Sequence, residues 1–103
     1  MFKLNYNINL ICYVLAMEEL ISFVMSGKVR IKILQILLKG KKTPTMIAKE
    51  VGTHQSTTSR ALLSLEKKEL VKCLTPKAKL SRIYSITDLG KKVVNEINQI
   101  ISS

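Results

Sequence analysis

The chain has 103 residues, of which 47% are hydrophobic, so the sequence predicts one small folded domain and excludes both a two-domain protein and global disorder. The net charge is +10, and the excess lies in residues 26–92, which hold 16 basic and 4 acidic residues. One histidine, few acids and no apolar run of ~18 residues argue against an enzyme, a metal or cofactor site and a membrane span, and we expect a cytoplasmic protein.

The first 25 residues differ from the rest of the chain in composition and in period. Apolar and polar residues alternate over residues 2–10, which is a strand period, and apolar spacings of three and four then predict a helix over residues 10–25. We assign residues 1–25 to an N-terminal extension. Residues 1–16 also fit an over-extended start, because their composition is typical of AT-rich DNA and Met17 opens a sequence typical of a natural start. The intact mass of the native protein separates these alternatives.

The centre of the chain predicts a buried helix, then a short helix that ends in a tight turn. Apolar residues lie on two sides of a helix over about residues 27–39, so we expect both sides to be covered. Gly40 can end this helix in the left-handed conformation. Thr43 and Pro44 suit the N-cap and the first position of the next helix. Gly52 ends that helix and leaves space only for a tight turn.

The stretch GTHQSTTSR, residues 52–60, is polar throughout and precedes a strongly helical sequence. Apolar spacings of three and four extend the helical period back to Thr58, which predicts a helix from about 54 or 55 to 69 with Thr58 facing the core. Glu and Lys are better helix formers for a merely solvated face, so short hydrogen-bonding side chains indicate close approach to a ligand. The outward residues of this face are Gln55, Ser56, Thr57, Ser59 and Arg60.

The period changes to two over residues 70–74 and 82–87, which predicts a two-stranded hairpin that turns near Thr75 and Pro76. Thr87 suits the N-cap of a last helix over residues 88–103, whose long apolar stripe indicates a partner. The tip of the hairpin carries cations and no acid. These cations are Lys77, Lys79 and Arg82.

The order of these elements resembles the winged helix-turn-helix family, and in particular the small bacterial and archaeal transcription regulators of the MarR, ArsR and PadR types. RIKILQILL (residues 30–38) resembles the pattern of the first helix, and residues 43–71 resemble the helix-turn-helix itself. RIYSITDLGKK (residues 82–92) resembles the second wing strand and the entry to the last helix. The resemblance implies a mainly α fold with a small β-hairpin, a DNA-binding domain over residues 26–92, and a last helix, residues 88–103, that dimerises.

The resemblance implies sequence-specific binding of double-stranded DNA, with helix 54–69 in the major groove. In that position Gln55 can pair with adenine, and Arg60 can either read guanine or bind a phosphate. We expect replacement of Arg60 by alanine to weaken binding and relax base preference. The short side chains that would reach base edges or phosphates are Ser56, Thr57 and Ser59.

The resemblance also places a wing, about residues 75–82, on the DNA backbone or in the minor groove, where alanine at Lys79 would weaken binding to all sequences alike. The amides at the N-terminus of the helix starting at Pro44 would bind a phosphate. A homodimer through the first and last helices would present two recognition helices to neighbouring half-sites. The remaining residues expected to contact DNA are Thr43, Thr45, Lys77 and Arg82.

The sequence departs from the family pattern at several positions. His54 stands where the family usually has a Ser or Thr cap, and the wing lacks the Asp–Arg pair of MarR-type proteins. The cysteine pair of ArsR-type metal sensors is absent, and we expect Cys12 and Cys73 to be small buried hydrophobes. The alternative function is that of a winged-helix protein-interaction module inside a larger assembly, which would bind no random duplex DNA at low salt.

Overall fold

The computed structural model describes residues 8–79 and 82–102 of the chain. The element order is α1 (Ile8–Met25), α2 (Lys28–Leu37), α3 (Pro44–Val51), α4 (Gln55–Lys67), β1 (Val71–Cys73), β2 (Tyr84–Ile86) and α5 (Asp88–Ser102). β1 and β2 form an antiparallel hairpin between α4 and α5, so the fold is mainly α with a small β-hairpin, as the sequence predicted. Within these ranges, no helix is long and apolar enough to span a bilayer.

The helix of the N-terminal extension begins at Ile8, two residues before the predicted start. Residues 8–10 are therefore helical, and the predicted strand period is wrong there, while the first seven residues lie outside the described part of the chain. α1 packs on α2 and α5 and buries Val24 completely. Cys73 is half-buried but Cys12 is exposed, because the outer face of α1 is not covered, so the prediction of two buried cysteines is wrong.

The core is built around α2, which contacts the other four helices and β2. Ile33, Leu34 and Leu37 are almost completely buried, and each contributes about 1.5–3 kcal/mol through burial. The contacts confirm that this helix is covered on two sides. The helix ends at Leu37, however, and Gly40 lies beyond it with a φ of +145°, so the predicted left-handed stop at Gly40 is wrong.

The helix-turn-helix consists of α3, a tight turn and α4. The Oγ1 atom of Thr43 accepts a hydrogen bond from the Met46 amide at 3.3 Å, which confirms the predicted cap. Gly52 adopts the left-handed conformation with a φ of 79°, and its amide donates to the Ala48 carbonyl. α4 ends at Lys67 rather than 69, because the chain turns there.

The hairpin pairs Val71 with Ile86 and Cys73 with Tyr84. Lys42, which precedes α3, also exchanges two backbone hydrogen bonds with Tyr84, of 3.1 and 2.9 Å. This bridge was not predicted, because one paired residue leaves no period in the sequence. It fixes the start of α3 beside the wing.

The last helix is anchored to the end of α4. The Thr87 hydroxyl accepts a hydrogen bond from the Gly90 amide at 3.0 Å, which confirms the predicted cap, and it donates to the Glu69 carbonyl at 2.7 Å. Val93 and Ile97 are completely buried. Towards the end of α5 the apolar stripe leaves the core, so the last two isoleucines of the chain are about half exposed.

Candidate nucleic-acid interface

The first two turns of α4 present one polar face away from the core. Thr58 is completely buried, as predicted, which fixes the rotation of the helix. The residues predicted to face outward then divide by exposure. Gln55, Ser56 and Arg60 are exposed, whereas Thr57 and Ser59 are half-buried.

The N-terminus of α4 has no side-chain cap. His54 occupies the N-cap position in an extended conformation, but its imidazole makes no capping hydrogen bond. A Ser or Thr at this position would normally accept from an amide of the first turn. The amides of that turn are therefore left to donate to solvent or to an anionic ligand.

A groove opens beside this end of α4, between the helix, the start of α3 and the wing. We call it the wing groove. It has a volume of about 270 Å³ and is formed by residues from three separate parts of the sequence. Its lining residues are Thr43, Pro44, Thr45, Gln55, Ser59, Lys79 and Arg82.

The wing groove is electropositive. Lys79 and Arg82 line it, and no carboxylate does. The N-terminal end of α3 also faces it, because Thr43, Pro44 and Thr45 form one wall. Two cations and the positive end of a helix dipole suit a phosphate group.

Arg82 also stabilises the wing. One terminal nitrogen of its guanidinium group, Nη2, donates to the Pro76 carbonyl at 3.0 Å, across the wing tip. Its Nε atom is buried and has no hydrogen-bond partner in the described part of the chain. A second cross-wing bond runs from the Ile83 amide to the Thr75 hydroxyl at 3.0 Å. The guanidinium group is therefore positioned before any ligand arrives.

Tyr84 supports the wing from inside the core. Burial and the nearby Glu66 carboxylate raise the pKa of its phenol, although the neighbouring Arg82 acts in the opposite direction. A raised pKa keeps the phenol neutral at physiological pH. The positive charge at the mouth of the groove is therefore not offset by a phenolate beneath it.

The predicted site residues do not all lie together. Ser56, Thr57 and Lys77 are not among the residues that line the wing groove. Arg60 lines a second groove, which we call the α2 groove, between the start of α2 and the middle of α4. The α2 groove is formed by Ser26, Gly27, Lys28, Val29, Arg30, Arg60, Ala61 and Ser64.

Lys28 and Arg30 were not predicted as site residues. The signal for them is weak in the sequence, because a lysine or arginine at the start of a helix is common on any surface. Only the packing of α2 against α4 brings these two cations beside Arg60. Among the described residues, no group of three or more His, Cys, Asp or Glu side chains could hold a metal ion.

Solved structures share this fold. The competence repressor AdcR from Streptococcus pyogenes has a TM-score of 0.65 and 21% identity, and the match covers 74% of this chain and 57% of AdcR. The homodimeric winged helix-turn-helix DNA-binding domain Mb0332 from Mycobacterium bovis has a TM-score of 0.64 and 22% identity, with 88% and 82% covered. ZitR from Lactococcus lactis in complex with DNA has a TM-score of 0.62 and 22% identity, with 71% and 51% covered.

At these identities the likeness establishes the winged helix-turn-helix fold, which confirms the fold expected from the sequence. The chain spans little more than half the length of AdcR and about half that of ZitR. Comparison with the sequences of curated proteins gives no match. The family model of the N-terminal domain of the methanogenesis regulatory protein FilR1, in contrast, matches residues 18–103. The chain therefore belongs to the family of FilR1 N-terminal domains.

Proposed function

We propose that this chain is a transcription regulator that binds double-stranded DNA sequence-specifically, with α4 in the major groove and the wing against the adjacent backbone. The observation that carries the proposal is the wing groove, where α3, α4 and the wing bring hydroxyl groups, an amide side chain and two cations together without a carboxylate. Such a site offers hydrogen bonds to base edges and positive charge to phosphates at once.

The polar face of α4 supports base reading. Gln55 is exposed at the first position of the helix, and a glutamine there can make a bidentate pair with adenine. Ser56 lies on the same exposed surface and is short enough to allow the helix to approach the bases closely. The structure of ZitR with DNA shows that a chain of this fold can bind DNA in a related arrangement.

The walls of the wing groove support phosphate binding. We assign Lys79 and the positioned guanidinium group of Arg82 to the DNA backbone or minor groove. Thr45 and the amides at the start of α3 would bind the next phosphate, since the Thr43 hydroxyl already accepts from one amide. These contacts fix the register of α4 in the groove and carry no sequence information themselves.

We also propose a homodimer formed by α1 and α5, in a cytoplasmic protein. Tyr13 and Val14 on α1 and Ile101 on α5 are about half exposed, which leaves a substantial apolar surface at this end of the molecule. A groove of about 500 Å³ runs between the two helices there. The Mb0332 domain, which has the same fold, is homodimeric.

The salt dependence of DNA binding tests the proposed function. We expect the chain to bind random duplex DNA at low salt, and Lys79→Ala to reduce the affinity for every sequence alike and the salt slope by about 0.9, the value for one lost phosphate contact. Fluorescence anisotropy with a labelled duplex at a series of salt concentrations measures both quantities.

Lys92→Ala is the matched control, because Lys92 is an exposed lysine on α5 that lines neither groove. It should leave the slope nearly unchanged. A chain that binds no duplex DNA at low salt contradicts the proposal and favours a protein-interaction module.

A further inference from the structure

Arg60 lies on the side of α4 that faces α2. Gln55 and Ser59 are four residues apart and line the wing groove on one side of the helix. Ala61 and Ser64 are three residues apart and line the α2 groove with Arg60. At 3.6 residues per turn these two pairs lie on nearly opposite sides of α4. The helix therefore has a positively charged groove along each flank.

The α2 groove holds three cations and no carboxylate. Arg30 is fixed within it, because its Nη1 atom donates to the Phe23 carbonyl at 2.7 Å and to the Ser26 hydroxyl at 2.8 Å. Its guanidinium carbon also lies 4.0 Å from the centroid of the Phe23 ring. This bonding holds the Arg30 charge at the base of the groove and does not neutralise it.

Lys28 and Arg60 are the mobile cations of the groove. Both are exposed, and neither side chain has a hydrogen bond or an ion pair within residues 8–79 and 82–102. Long unpaired cations beside a fixed third one repel each other, so an anion between them would relieve the repulsion. The groove has a volume of about 420 Å³, which is ample for a phosphate group.

We propose that Arg60 and Lys28 bind the phosphate backbone of the DNA strand on the flank of α4 opposite the wing. This inference rests on the proposed function, because a helix in the major groove lies between two sugar–phosphate strands. The wing groove contacts one strand, and the α2 groove contacts the other. Arg60 is then a positioning residue, and base reading falls to Gln55 and Ser56.

The two roles open to Arg60 give different results in one experiment. A phosphate contact adds to affinity on every sequence and to the salt slope, whereas a base contact adds discrimination at one position. For Arg60→Ala we expect the affinity to fall about tenfold at ~0.1 M salt on both the preferred and a random duplex, and the slope to fall by about 0.9. Selection from random DNA should recover the same preferred sequence as for the parent chain.

Related variants sharpen the test. Arg60→Lys should retain most of the salt slope, because a lysine still binds a phosphate as a point charge. Lys28→Ala should reproduce the effect of Arg60→Ala, and Lys92→Ala should have no effect on the slope. Both target side chains are exposed, and circular dichroism confirms that each variant is folded.

The outcomes separate the inference from the proposed function. If Arg60→Ala changes the recovered sequence at one base pair and leaves the slope unaltered, Arg60 reads a base and the inference is overturned. If Lys28→Ala leaves the slope of the parent intact, the α2 groove does not contact the backbone. A parent chain that binds no DNA overturns the proposed function itself.

Discussion

Gly90 lies where α5 passes closest to the start of the hairpin. A Cβ atom at this position would overlap the Leu70 carbonyl and lie 2.7 Å from Cγ1 of Ile86. Unlike the glycine that ends α3, Gly90 does not have a positive φ. The close approach of backbone to backbone, and not an unusual conformation, requires glycine here.

Gly90→Ala should therefore destabilise the domain by about 1–3 kcal/mol, as overpacked core positions do. The sign is informative, because the same change inside an unobstructed helix normally stabilises by up to about 1 kcal/mol. Urea denaturation gives the difference in the free energy of unfolding. Asn95→Ala, at an exposed position on the same helix, controls for helix propensity. An equal or greater stability of Gly90→Ala would contradict the close packing of α5 against the hairpin.

At the scale of elements, Thr87 joins the ends of three of them. Its hydroxyl bonds both the α5 amide of Gly90 and the carbonyl of Glu69, which follows α4. Its own amide donates to the Leu70 carbonyl at 3.1 Å. One side chain thus caps α5 and attaches it to the segment between α4 and β1.

Thr87→Ala should lower the free energy of unfolding by about 1–2 kcal/mol, because it removes the cap and leaves the Glu69 carbonyl without this partner. Thr87→Ser retains the hydroxyl and should recover most of the loss. Thermal denaturation of both variants against the parent measures the difference. Equal melting temperatures for the alanine and serine variants would show that the hydroxyl contributes nothing.

The caps show what could be predicted about the elements. Thr43 and Thr87 were assigned correctly because a cap depends on neighbours within three residues. The end of α4 could not be predicted, because Glu69 adopts a left-handed φ of 62° that local sequence does not favour. This conformation allows the Leu70 amide to donate to the Leu65 carbonyl and carries the chain into the hairpin. The pairing of Lys42 with Tyr84 is equally invisible in sequence, because it joins residues far apart.

The candidate site shows a similar division. The period of α4 was enough to place Thr58 inside and Gln55 outside. It could not show which neighbouring element stands beside each flank, and so Arg60 was grouped with residues on the other side of the helix. Whether these residues contact DNA remains a prediction for the binding experiments.

Across the whole molecule, charge and apolar surface are segregated. The basic residues cluster on α2, α4 and the wing, whereas Glu18 and Glu96 line the apolar groove between α1 and α5. Such a division separates a surface suited to a polyanion from one suited to a second copy of the chain. A dimer formed at the apolar end would leave both α4 helices uncovered.

Val14→Glu should weaken this dimer, because it places a third carboxylate near Glu18 and Glu96 in a surface that would become buried. We expect the parent to sediment as a dimer at about micromolar concentration and the variant to shift towards monomer. Leu63→Glu is the control, because Leu63 is similarly exposed on α4 (48%, against 45% for Val14) and does not line the groove. A parent that sediments as a monomer would contradict the proposed dimer.

The backbone bridge between Lys42 and Tyr84 has a consequence for the thermodynamics of binding. It ties the two walls of the wing groove together before DNA arrives, and the bond from Arg82 to the Pro76 carbonyl holds the wing tip in place. Ordering a flexible backbone costs about 1–2 kcal/mol per residue, and in this molecule that cost is met during folding. The wing therefore meets DNA as a preorganised arm, with little conformational entropy left to lose.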